Sequence, residues 1–209
     1  NQMTLFTTII GLLSAWFVSR GTFIALALAG LLFQLCAALD RVDGELARST
    51  FTASEWGAWI DTVADNFVYL AFIVGLTVGY HEYTSSRGLL VADYVYPVGS
   101  ITLILAVFLI ASMGIYLKLN TEAGTMTAVQ SDMAQRVDRE HAGLVYRFLD
   151  AIQLLGKRDA FSLITCIIAV LPWLTGNPFG FHLLFWLALL IVILVIGYYG
   201  LGLLNIKRQ

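Results

Sequence analysis

Charge is what this sequence has least of. Lys, Arg, Asp and Glu make up 12% of its 209 residues, hydrophobic residues make up 59%, and the mean hydropathy is +0.81. A soluble domain of this length keeps far more charge on its surface, so the composition marks an integral membrane protein. The length allows one membrane domain of several helices, taken as residues 1–209, and not two. The net charge is only −2 and no basic cluster with interleaved aromatics occurs, so nothing points to a nucleic-acid partner. Cysteine is scarce too. Cys36 and Cys166 lie inside separate apolar runs, cannot make a disulfide framework and read as buried reduced thiols. No run alternates at period two, which favours helices over a barrel, and there is no internal repeat or low-complexity segment. An initiator methionine and a charged leader region are also missing. Met3–Ser19 therefore does not read as a signal peptide, and the sequence is expected to be a piece of a longer protein.

What is present is a series of apolar runs: Thr4–Ser19, Thr22–Leu39, Trp56–Tyr80, Val98–Leu117, Ala160–Leu174 and Phe181–Leu204. Against the roughly 20 residues that a helix needs to cross a bilayer, these predict six transmembrane helices, the first and fifth short. The expected fold class is an all-α polytopic membrane protein. With six spans, both termini and the Asp40–Glu55 and Lys118–Asp159 connections share one side. That side carries Arg41, Arg48, Lys118, Arg136, Arg139, Arg147, Lys157, Arg158, Lys207 and Arg208, and the other carries only Arg20 and Arg87. The asymmetry sets the first side, with both termini, in the cytoplasm of a cytoplasmic-membrane protein.

The Lys118–Asp159 connection is too long for a simple turn. Within it Leu144, Val145, Phe148, Leu149, Ile152 and Leu155 recur at helical spacing, the pattern of an amphipathic helix at the interface or of a short helix packed on the loop. Gly75 and Gly79 form a GxxxG in the third span, which suits close helix packing and a homodimer.

The few acids are concentrated. Asp40 and Asp43 are three apart at the end of the second run, and Asp61 and Asp65 are four apart at the start of the third. Each pair shares a helical face, and a short connection brings the two helix ends together antiparallel. Four converging carboxylates repel one another unless cations join them, and all-oxygen ligation suits Mg²⁺ or Mn²⁺. Glu45 and Glu55 read as ordinary solvated helix-end acids. Asp65 does not, because the apolar stretch NFVYLAFIVGL follows it, and acids at the membrane default to function. Gly44 lies four after Asp40 and Gly57 four before Asp61. Glycine costs helix stability, so these two suggest close approach of a ligand or of backbone. Arg48 adds a guanidinium suited to phosphate.

Asp40-x2-Asp43-Gly44-x2-Ala47-Arg48-x8-Gly57-x3-Asp61-x3-Asp65 fixes eight residues over 26 positions, and it resembles the signature of the CDP-alcohol phosphotransferases at every position. Asn1 and Thr4 look like that family's Pro-Asn-x-x-Thr entry into the first helix. The resemblance implies six membrane helices and transfer of a phosphoalcohol group from a CDP-linked donor to an acceptor hydroxyl, with release of CMP. It also implies two divalent metals, Mg²⁺ or Mn²⁺, on Asp40, Asp43, Asp61 and Asp65, with Asp65 the base for the acceptor hydroxyl. Gly44, Ala47, Arg48 and Gly57, with Asn1 and Thr4, would contact the CDP moiety. GKRDAF, DGELAR and GAWIDTVAD are further similar to a subset that includes di-myo-inositol phosphate phosphate synthases, where the donor is CDP-inositol and the acceptor an inositol phosphate.

Lys157 and Arg158 fit either a positive-inside anchor or an acceptor site that binds phosphate. Arg136, Arg139 and His141 read as a solvated patch, and His81 and His182 as structural or interfacial histidines. Two other functions use similar acids. A membrane prenyltransferase binds magnesium and diphosphate through aspartates but needs more spans and lacks the Gly-Ala-Arg element. A divalent-cation transporter would want its acids near the midplane and an exit on the far side, where this chain has almost no charge.

Overall fold

A chain in a bilayer must satisfy its backbone internally, and helices do so within one segment. The computed structural model describes residues 2–49, 55–120 and 158–206, and these are helical apart from short turns. The helices are α1 (Gln2–Val18), α2 (Phe23–Ser49), α3 (Glu55–Ser85), α4 (Ala92–Asn120), α5 (Arg158–Thr175) and α6 (Phe179–Ile206). Stretches in α2, α3, α4 and α6 are long and apolar enough to cross a membrane, while Met3–Val18 and Ala160–Thr175 are shorter apolar helices. The architecture is therefore all-α and that of an integral membrane protein. The expected helix through residues 144–155, the patch at Arg136, Arg139 and His141, and Lys157 lie outside the described residues.

The helices outrun the apolar stretches that predicted them. Most consequential is α2, which continues from Leu39 to Ser49, so that Asp40, Asp43 and Gly44 stand on a helix and not in an open connection. Leu46 and Ala47 are good helix formers. Arg41 and Glu45 add an i,i+4 ion pair at 3.6 Å between well-exposed side chains. Glu45 is thereby engaged away from the acids, in keeping with its reading as a solvated carboxylate.

Lipid tails give helices little hydrophobic reason to associate, so close packing of small residues decides the arrangement. Helix α1 runs parallel to α3, with Gly11 against Val68, Gly75 against Ala15 and Gly79 against Val18. A Cβ at Gly75 or Gly79 would run into the backbone carbonyl of Ala15 or Val18. The GxxxG pair thus serves contact within the chain and lends no support to the homodimer expected from it. Gly30 likewise brings α2 onto α5, since its Cβ would lie 2.6 Å from Ala169 Cβ and 3.2 Å from Cys166 Cα. At the α1–α2 turn Gly21 has φ +65°, a left-handed conformation that favours glycine.

Gly79→Leu is expected to lower the melting temperature in detergent by roughly 6–12 °C, because the obstructing atoms are backbone. Gly114→Leu, where nothing lies within 4 Å, is the matched control. Equal melting temperatures for the two variants would contradict the packing argument.

The ends of α3 and α6 away from the acids are fastened by aromatic groups. Tyr80, fully buried, hydrogen-bonds His182 Nδ1 at 2.5 Å and stacks on Phe185 at 4.4 Å. His81 Nδ1 lies 3.3 Å from the Ala92 carbonyl and its ring packs on Tyr96. Both histidines are thus held by contacts within the helix bundle. At the same end Arg20 lies over Trp16 at 4.1 Å and Arg87 over Tyr83 at 4.0 Å, a cation–π setting for each.

Candidate metal and phosphate site

Two hydrogen bonds fix how α1 lies on α2. Ser14 Oγ donates to the Ala29 carbonyl at 2.8 Å, and Cys36 Sγ to the Thr7 carbonyl at 3.2 Å. The helices are antiparallel and the register is the same at both bonds. Continued by three residues, it brings Thr4 level with Leu39, next to Asp40. The parallel contacts of α1 on α3, Gly11 with Val68, Ala15 with Gly75 and Val18 with Gly79, bring the same Thr4 level with the Asp61–Asp65 turn. Thr4 is buried, and its carbonyl accepts from the Thr7 and Thr8 hydroxyls at 3.0 and 2.6 Å. Asn1, expected beside it, lies outside the described residues.

Into this corner α2 and α3 deliver their acids. Carboxylate oxygens of Asp40, Asp61 and Asp65 all lie within 4.8 Å of one another, and the three side chains are half-buried. Asp43, also half-buried, stands three residues further along α2 and is not one of this group. Carboxylates this close repel, and partial burial strengthens the repulsion by limiting solvent screening. A shared hard cation relieves it, and an all-oxygen donor set suits Mg²⁺ or Mn²⁺. The residues present therefore fit a divalent metal.

The remaining expected contacts follow the helices. Gly44 lies one turn beyond Asp40 on α2, and Gly57 in the first turn of α3, one turn before Asp61; both are half-buried. Ala47 and Arg48 belong to the end of α2, and Arg158 opens α5. Beyond the acids, three rings from three helices meet. Phe33 of α2, Tyr69 of α3 and Phe161 of α5 have pairwise centroid distances of 5.6, 6.0 and 5.8 Å. Sequence reasoning missed this triangle, although Tyr69 continues the i+4 series of Asp61 and Asp65.

Comparison with known proteins agrees with the geometry. Residues 1–197 match the family described as CDP-alcohol phosphatidyltransferase. The chain belongs to that family, whose members depend on metal. It is also similar to proteins named "Bifunctional IPC transferase and DIPP synthase". The Thermococcus kodakarensis protein is 40% identical over 81 residues, 37% of this chain and 18% of that protein. The Aquifex aeolicus protein is 37% identical over 78 residues, 37% and 17% of the two chains. The Archaeoglobus fulgidus protein is 38% identical over 80 residues, 38% and 16%. The matched stretch thus spans less than a fifth of each relative.

Proposed function

We propose that this chain moves a phosphoalcohol group from a CDP-linked donor to an acceptor hydroxyl, releasing CMP, at the joined ends of α2 and α3. The observation that carries the reading is the convergence of Asp40, Asp61 and Asp65 within 4.8 Å in a chain of this family.

Two divalent cations on Asp40, Asp43, Asp61 and Asp65 would neutralise the donor diphosphate and the charge that develops on departing CMP. The chain's own work is to bind, orient and deprotonate. Asp65 accepts the proton of the acceptor hydroxyl as its oxygen attacks the phosphorus that carries the donor alcohol. The bond from that phosphorus to the CMP oxygen breaks. A carboxylate beside a cation is a weak base for an alcohol, so holding the hydroxyl in line supplies much of the effect. Gly44 and Gly57 leave room for the CDP moiety. Ala47, Arg48, Thr4 and Asn1 complete its contacts, and Lys157 and Arg158 meet a phosphorylated acceptor.

The excess of Lys and Arg on the side of the acids supports a site facing the cytoplasm, with α1 and α5 completing six spans. The relatives' name and the stretches DGELAR and GKRDAF support CDP-inositol as donor and an inositol phosphate as acceptor. The test is a screen in liposomes of CDP-inositol and CDP-diacylglycerol against inositol, inositol phosphate and glycerol phosphate. Metal-dependent CMP release is expected, fastest with CDP-inositol and inositol phosphate. Absence of CMP release from every donor would overturn the proposal.

A further inference from the structure

A base able to activate an alcohol also activates water, so a transferase must keep its donor from hydrolysis. The aromatic triangle lies where such control is needed. Phe33 is two helical turns before Asp40 on α2, Tyr69 one turn after Asp65 on α3, and Phe161 one turn after Arg158 on α5. Each ring thus lies on the membrane side of a site residue of its own helix, at a depth of roughly 5–10 Å along the helix axis. All three pairs of rings are in contact. Behind them Phe72 stacks on Phe33 at 4.6 Å, and both are almost fully buried, with 3% and 4% of their surface exposed. Tyr69 and Phe161 are only half-buried. A sealed core would bury all its members alike, whereas the two half-buried rings of this set follow Asp65 and Arg158 by one turn on their own helices.

We propose that Tyr69 and Phe161, backed by Phe33, form a dry aromatic floor beneath the carboxylates and set the preference for alcohol over water as the nucleophile. They are positioning residues, acting through the space they deny to solvent. The inference rests on the transfer activity proposed above. In the side reaction a water oxygen attacks the phosphorus bearing the alcohol, the bond to the CMP oxygen breaks, and the proton passes to the base. The products are CMP and the free phosphoalcohol. Removing Tyr69 opens a space one helical turn from Asp65, and water occupies cavities that offer it polar partners.

The experiment measures CMP released per acceptor molecule converted, in liposomes, using the best donor–acceptor pair from the screen. Wild-type protein is expected to give a ratio near one. Tyr69→Ala and Phe161→Ala are expected to raise acceptor-independent CMP release, relative to transfer, by about tenfold. Phe161→Leu, a milder change that spares the fold, is expected to fall between. Tyr69→Phe keeps the ring and should restore the wild-type ratio. Variants that lose transfer and CMP release in parallel, with the ratio still near one, would show the rings to be packing alone and overturn the inference. Failure of wild-type protein to release CMP from any donor would instead remove the transfer reading itself.

Discussion

Asp65→Asn is expected to abolish CMP release, by a factor on the order of 10³, while binding of the CDP donor survives. The substitution keeps one oxygen ligand and nearly the same shape but cannot accept a proton. Asp65 is the acid to choose because it stands deepest along α3 of the two that α3 contributes to the group, next to the apolar part of the helix. There an acceptor hydroxyl can be held away from bulk solvent. Equilibrium binding of a radiolabelled CDP donor, measured beside single-turnover CMP release, separates binding from chemistry. Normal turnover in Asp65→Asn would remove this residue from the role of base. Loss of donor binding together with turnover would make it a metal ligand only.

Removing the cation, or a ligand that contributes nothing else, gives the second large effect. Chelation is expected to stop turnover completely, with recovery on adding Mg²⁺ or Mn²⁺. Asp40→Ala and Asp61→Ala should each lower turnover by at least about a hundredfold. These losses should be accompanied by weaker donor binding, partly offset at high metal concentration. Asp40 and Asp61 come from different helices yet lie in one group with Asp65, so their effects should be strongly non-additive. Asp43 stands outside that group in the structure. The size of the Asp43→Ala effect, set against Asp40→Ala, measures whether it joins the others when metal and donor are bound. Turnover that resists chelation would contradict the metal role of the whole constellation.

Much of this site could be read from spacing alone. Asp40, Asp43, Asp61 and Asp65 are set at i+3 and i+4, and that interval specifies a shared helical face wherever the chain is helical. The apolar runs located all six helices of the described residues, because lipid exposure demands long apolar stretches. Their ends were not legible in the same way. Once a helix leaves the hydrocarbon its residues become polar while its backbone continues, and α2 runs ten residues past Leu39 for this reason.

Contacts between helices were harder still. Gly75 and Gly79 announced close packing, but a small-residue stripe does not say which helix it meets, and the partner is α1 of the same chain. The triangle of Phe33, Tyr69 and Phe161 left little local signal, since its members belong to three different helices. Only the i+4 step from Asp65 to Tyr69 hinted at it. The level of Thr4 beside Asp40 emerged solely from the registers fixed by Ser14, Cys36 and Gly11.

We propose the carboxylate group on α2 and α3 as a centre for phosphoalcohol transfer. Its most direct test reconstitutes the full chain in liposomes with CDP-inositol and inositol phosphate, and follows CMP and the new phosphodiester together with Mg²⁺ or Mn²⁺ flux. CMP and phosphodiester are expected in equal amounts, only with divalent metal present, with no net cation movement across the bilayer. Cation flux without CMP release would contradict it and make the same acids a transport site.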